Sequence, residues 1–451
     1  FVVVGSGLEF AKKFDEEMKQ EGSLIEFPTF DTARYIVKNK KTKKQEINEF
    51  DEEEIVLEFA GARTEKYEAN SRKPIVTQTT LEEDLGRRDF TVNAMAVDVR
   101  NAKDCESAKI KKNIIDPFNG QKDLKDKILR TPLDPDVTFS DDPLRMLRAI
   151  RFAAQLNFGI EKKALDSIFK NKERIKIVSA ERVTEELLKL MATAEPSVGL
   201  MLLYQTQLLD LILPEVSALH GVEEVFGHQH KDNLIHSFKV VDNIASQSKN
   251  PWLRLAGLLH DIGKEPTKKF VPKIGWTFHA HEHVGKKMVY QISKRLKFSK
   301  DKTDYLAKLI RWHLQPIALM DEGISDSAVR RLVVTLGDEL EDLLILGMGD
   351  ITTGNPFKKE KRLKNYENLK KKIVEVLEKD KLRAFPSPVR GDEIMTMCKL
   401  KPGPTVGMIK EAIEEAILDG IIPNEHDAAE EYLKKIKDEY INKAANWEKT
   451  G

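Results

Sequence analysis

The stretch Ser140–Phe152, SDDPLRMLRAIRF, sets two aspartates before a proline and then arginines at 145, 148 and 151. A carboxylate accepts hydrogen bonds and a guanidinium donates them. Cytosine and adenine each present an exocyclic amine beside an unprotonated ring nitrogen. An Asp accepting from the amine and an Arg donating to the ring nitrogen would match both bases. Uracil and guanine present the opposite order, and each buried polar group left unpaired against them would cost about 1–3 kcal/mol. The other arginines could clamp a triphosphate through bidentate bonds. The plainer alternative is an amphipathic helix with Asp142 as N-cap and Pro143 in its first turn. Leu147, Ile150 and Ala154 would then share one face, away from a solvated basic stripe.

A second set of chemistry-bearing residues lies in HKDNLIHS (His230–Ser237), LLHDIGKEPTK (Leu258–Lys268), FHAHEHVG (Phe278–Gly285), RWHLQP (Arg311–Pro316) and GMGDITTGN (Gly347–Asn355). A lone histidine is ordinarily structural. An adjacent His-Asp after an apolar run, with other histidines and a distant aspartate, offers the imidazoles and carboxylates that divalent transition metals take.

The elements that must carry these residues divide near residue 140. Before it, FVVV, LIEF, EIVLEFA and AMAVDV read as short strands, and LEFAKKFDEEMK as a helix. This mixture predicts an α/β or α+β domain. Beyond it, helical periodicity runs to the C-terminus, broken at Asn250-Pro251, VPKIGW, GNPF, FPSPVRG and KPGP.

A chain of 451 residues has room for several domains. Its 74 basic and 74 acidic residues balance, so net charge does not argue for nucleic acid. The basic runs Lys38–Lys44 and Lys358–Lys364 read as solvated surface unless they meet phosphates. Two cysteines, Cys105 and Cys398, argue against a disulfide scaffold and for a reducing compartment, the cytoplasm. No apolar run approaches the ~20 residues of a membrane helix. The opening FVVV reads as a strand already under way, without the basic region of a signal peptide.

TLEEDLGRRDFTVNAMAVDV (Thr80–Val99), IIDPFNGQKDLKDKILR (Ile114–Arg130), DDPLRMLRAIRF, VSAERVTEELLKL (Val178–Leu190) and the tail GPTVGMIKEAIEEAILDGIIPN occur in one order along the chain. Together they resemble the class II tRNA nucleotidyltransferases, the CCA-adding enzymes, and the related bacterial poly(A) polymerases. The resemblance implies that Arg88 and Asp89 contact the phosphates and sugar of an incoming nucleotide. Asp142 and Arg145 would form the protein template for CTP and ATP, with Arg148 and Arg151 completing the pocket. Asn93, Glu181, Arg182 and Glu185 would support it. Asp116, Gly120 and Asp123 would be structural or gating residues. The partner would be a tRNA 3′ end.

The family's Mg²⁺ is held by a strand-end Asp-x-Asp after a Gly-rich loop, and the expectation is that both precede Phe1. Glu58 is a candidate for a third carboxylate, with an ion pair to Arg63 as the plain alternative. Arg63 and Arg72 are further candidates for contact with substrate or with the flexible loop.

The histidine set resembles an HD phosphohydrolase domain. By that pattern His236, His260, Asp261 and Asp350 would hold one divalent transition metal, His281 and His313 would extend the site to a second, and Lys264 could contact a phosphate on an RNA end. The expected organisation is α+β: a nucleotidyltransferase head over 1–135, a helical neck over 136–220, an HD domain over 221–355 and a helical tail over 356–451 that contacts tRNA. Two rivals stay open, a poly(A) polymerase or A-adding enzyme, and a phosphohydrolase carrying a relic transferase domain.

Overall fold

The structure is a computed structural model that describes residues 1–19, 21–38, 54–66, 75–99, 113–222, 224–225, 228–229, 232–322, 324–380 and 388–449. Arg72, Cys105, His230, most of the basic run after Lys38 and the start of FPSPVRG lie outside them. The chain forms two compact units, one of residues 1–190 with 201–212, the other of residues 191–200 with 213–451. No helix among the described residues is long and apolar enough to cross a membrane.

The first unit opens on a four-stranded sheet of β1 (Val2–Val3), β2 (Ser23–Phe27), β3 (Thr32–Lys38) and β4 (Glu54–Gly61), in the order β1-β4-β3-β2. β1 runs parallel to β4, and the other neighbours are antiparallel. Helix α1 (Gly7–Glu17) packs on one face, where Ala11, Ala33, Tyr35 and Phe59 make a small core with Phe14 and Leu57. Asp31 anchors the start of α1 by accepting from the Ser6 hydroxyl and from the Gly7 and Leu8 amides at 2.8, 3.1 and 3.2 Å. A Cβ on Gly61 would lie 2.1 Å from the Asp31 carboxylate, so glycine is needed there. Three predicted strands and the helix are present. AMAVDV supplies only Ala96–Val97, and the central β3 has no counterpart among the strands expected from the sequence.

The second unit is helical except for two-stranded pieces such as the hairpin Lys269–Val271 with Gly275–Thr277. Helices Asn233–Ala245, Pro251–Leu259, His281–Leu296, Lys300–Trp312 and Leu340–Gly349 surround the histidine set. Tyr366, Leu369, Ile373 and Val376 of helix Pro356–Asp380 share one core with Val329, Leu344 and Ile351. A second core ties helix Gly391–Cys398 to Pro404–Leu418 and His426–Lys443 through Ile394, Ile409, Ile413 and Leu433.

Candidate functional sites

The stretch Ser140–Phe152 is not one capped helix. One helix ends at Asp141, Asp142 is extended at φ −131° and ψ 97°, and a new helix spans Leu144–Leu156. Pro143 explains the break, because its ring disfavours helical backbone in the residue before it. Asp142 still meets the new helix, since its Oδ1 accepts from the Leu144 amide at 3.1 Å. Its Oδ2 lies 3.3 Å from Arg182, which reaches over from helix Ala180–Met191. The Arg145 guanidinium sits one turn on, with Nη1 3.5 Å from the Thr138 carbonyl oxygen. An acceptor and a donor thus stand at the start of one helix.

The remaining arginines are already engaged. Arg148 donates to Asp89 Oδ2 from Nε and Nη2 at 2.9 and 2.5 Å. The other Asp89 oxygen accepts from the Phe90 amide at 2.9 Å and from Asn93 at 3.1 Å. Arg151, expected in the nucleotide pocket, is only 7% exposed, donates to Glu186 at 2.7 Å and to Gln155 at 2.6 Å, and lies against the Phe152 ring. Its helical phase explains this, because it borders the Leu147–Ile150–Ala154 face that the fold buries.

The sequence points to Glu185 as a support and passes over its neighbour Glu186. Glu185 is exposed and pairs with Lys189 at 2.7 Å, which holds its carboxyl below the usual range. Glu186 is buried and also meets Lys189, at 3.3 Å. A signal for it does exist in the helical phase. Glu186 falls three residues after Val183 and four before Leu190, on the face that buries both. A carboxylate there calls for a cationic partner. Glu181 is exposed. Arg88 donates to Asp84 at 3.3 Å and to the Asn93 carbonyl at 3.0 Å. Asp116 accepts from the Gly120 and Gln121 amides, and Asp123 from Thr91 at 2.7 Å.

Glu58 pairs with Arg34 at 2.6 Å rather than with Arg63, because Arg34 is its cross-strand neighbour. Arg63 instead donates to Thr32 at 3.0 Å and to the Phe30 carbonyl. Among the described residues of the head, no cluster of metal-ligating side chains forms.

The second unit differs. His236, His260 and Asp350 converge in one group, and Asp261, His281 and His313 in another. Asp261 joins the two. Its Oδ2 lies 3.2 Å from His260 Nε2 and 3.6 Å from His236 Nε2, while its Oδ1 lies 3.4 Å from His281 Nε2 and 3.9 Å from His313 Nε2. Asp350 Oδ1 lies 3.0 Å from His236 Nε2. His260 Nδ1 meets the Gly257 carbonyl at 2.8 Å, His281 Nδ1 that of Phe278 at 2.9 Å, and His313 Nδ1 that of Ile310 at 2.7 Å. A carbonyl only accepts, so each Nδ1 carries hydrogen and each Nε2 is turned to the centre. Lys264, expected on a phosphate, is paired with Asp261.

Burial alone would strip the proton from His260, but the Asp261 and Asp350 carboxylates override it and push the pKa up to about 10. Burial, with His260 nearby, drives His313 down to about 4. Burial opposes ionisation of Asp350, yet the imidazoles of His236 and His260 beside it hold its carboxyl well below the usual range. His260 Nε2 is buried with no hydrogen bond of good geometry despite its nearness to Asp261. An unsatisfied ring nitrogen among carboxylates and other imidazoles fits a divalent metal.

Residues 12–130 match the poly A polymerase head domain, 157–219 the probable RNA and SrmB-binding site of polymerase A, and 233–343 the HD domain. The chain is 32% identical to the A-adding tRNA nucleotidyltransferase of Deinococcus radiodurans over 345 residues, 74% of this chain and 75% of that protein. It is 35% identical to a multifunctional CCA protein of Legionella pneumophila over 57% of this chain, and spans about three fifths (61%) of that relative's length. Among solved structures, a CCA-adding enzyme in apo form II matches 96% of the chain and 86% of its own, with a TM-score of 0.59 at 21% identity. The Bacillus stearothermophilus CCA-adding enzyme in complex with CTP matches 91% and 83%, with a TM-score of 0.55 at 21% identity. At such identities these two structures speak for the fold.

Proposed function

We propose, for a chain that belongs to the class II tRNA nucleotidyltransferase and poly(A) polymerase family, the activity of a CCA-adding enzyme: transfer of CMP and AMP from CTP and ATP to the 3′ end of tRNA. The observation that carries this reading is the pairing of an acceptor, Asp142, with a donor, Arg145, at the start of helix Leu144–Leu156. Asp142 accepts from the exocyclic amine of C or A, and Arg145 donates to the ring nitrogen. Arg182 orients Asp142, while Arg148, steadied by Asp89, lies beside the nucleotide. Magnesium supplies charge stabilisation in such transfers. The described head residues hold no carboxylate cluster for it, so the residue roles proposed here are confined to recognition.

The A-adding relative makes the alternative concrete. The test is incorporation by purified full-length protein on tRNAs ending at the discriminator base, at C and at CC. A CCA-adding enzyme takes CTP on the first two and ATP on the third. Use of ATP alone on the CC end would make it an A-adding enzyme, and long A tails a poly(A) polymerase.

The histidine centre supports a second activity, metal-dependent hydrolysis of phosphoesters at RNA ends. His236, His260 and Asp350 would hold one divalent metal, His281 and His313 a second, and Asp261 would face both. The metals would supply an activated water and charge neutralisation. Lys264, released from Asp261, would meet the phosphate. Lack of phosphodiesterase activity on 2′,3′-cyclic nucleotides with Mg²⁺, Mn²⁺, Ni²⁺ and Co²⁺ would remove this reading.

A further inference from the structure

His236 is held differently from its three companions. Theirs are local anchors, each Nδ1 meeting a carbonyl three residues earlier in its own turn. His236 Nδ1 instead meets the Thr352 hydroxyl, 116 residues away, at 2.9 Å. A hydroxyl can donate or accept, so this contact places the ring without fixing which nitrogen carries hydrogen. The same short segment grips the other nitrogen, because Asp350 Oδ1 lies 3.0 Å from His236 Nε2. Thr352 is tied to Asp350 by its amide, which donates to the Asp350 carbonyl at 2.8 Å.

The segment is in turn fastened to the helix that carries His236. Asn243 donates to the Gly349 carbonyl at 2.8 Å, and a Cβ on Gly349 would come within 2.7 Å of Ile244. Asp350 and Thr352 both lie beyond residues 233–343, the part matched by the HD family model.

We propose that Thr352 is a positioning residue for His236, and that the metal position built on His236, His260 and Asp350 is therefore the more easily emptied of the two. This rests on the metal-binding reading of the histidine centre. His281 and His313 keep their orientation through carbonyls three residues before them, in Phe278 and Ile310. His236 keeps its orientation only while the segment after helix Leu340–Gly349 stays closed on it. Partners of metal-binding imidazoles typically govern affinity by about 10–100-fold.

The experiment is calorimetric titration of MnCl₂, and separately NiCl₂, into metal-stripped full-length protein, for the wild type, Thr352→Val and Thr352→Ser. Valine keeps the shape and removes the hydroxyl, whereas serine keeps the hydroxyl. The expected result is two binding equivalents in the wild type. Valine should weaken one of them by about tenfold with the other unchanged, and serine should restore it. Equal weakening of both equivalents by valine, no change at either, or failure of serine to restore would overturn the role of Thr352. Absence of binding in the wild type would overturn the metal reading itself.

Discussion

The two units hold their chemical groups by opposite means. In the head and neck, the groups proposed to read the nucleotide and the buried pair behind them are fixed by ion pairs across long separations: Arg148 to Asp89 over 59 residues, Arg182 to Asp142 over 40, and the buried Arg151 to Glu186 over 35. In the histidine centre, three of four imidazoles are fixed by carbonyls in their own turn. Long-range pairs can be exchanged for a ligand's own charges, as a nucleotide pocket requires. Local anchors keep a donor set in place whether or not it is filled.

This contrast can be broken at three strengths. The largest effect is expected at Glu186. Its replacement by Ala strands the buried Arg151 and should cost about 3–5 kcal/mol, whereas Glu186→Leu with Arg151→Met should recover most of it, as buried ion pairs replaced whole often do. Chemical denaturation of the three proteins measures this. A single variant as stable as wild type would mean that the pair holds nothing together.

Next in size, Asp142→Ala should lower CTP and ATP incorporation by about 10–100-fold through loss of a hydrogen bond to the base, while tRNA affinity stays unchanged. Normal incorporation of both nucleotides would end the template reading.

A third test concerns pH. All ten histidines lie at residue 220 or beyond, in the second unit. Raised to about 10, His260 contributes stability that is complete below 6.5 and is lost as pH climbs toward 10. Lowered to about 4, His313 contributes the reverse, because the unfolded chain takes up its proton first and stability is lost as pH falls from 6.5 toward 4. Metal-stripped protein should therefore show the second unit most resistant to heat near pH 6.5, with a decline on both sides. A thermal profile flat from pH 5 to 9 would contradict this.

Legibility in the sequence follows the same division. All six of His236, His260, Asp261, His281, His313 and Asp350 stand out in it, and the structure brings them together, because an adjacent His-Asp ending an apolar helix has few ordinary explanations. Thr352 does not stand out, since a hydroxyl among loop residues carries no signal until the ring it touches is known. In the neck, Asp142 and Arg145 are singled out by their neighbouring motifs, and the structure sets both at the start of one helix. Pro143 reads as the start of a capped helix, yet it marks a break between two. Glu186 is hidden behind its exposed neighbour. Pairing across 35 residues depends on how helices cross, which periodicity alone does not contain.

Helix Pro356–Asp380 carries a consequence for anyone dissecting the chain. Its Tyr366 hydroxyl is buried against Gly347, where a Cβ would lie 2.2 Å from the oxygen, and its Leu369 and Ile373 complete the core around Leu344 and Ile351. A fragment cut at residue 355 to isolate the histidine centre would leave that core open to water. Loss of the proposed hydrolysis in such a deletion would report a collapsed scaffold and say nothing about whether the removed helices touch RNA.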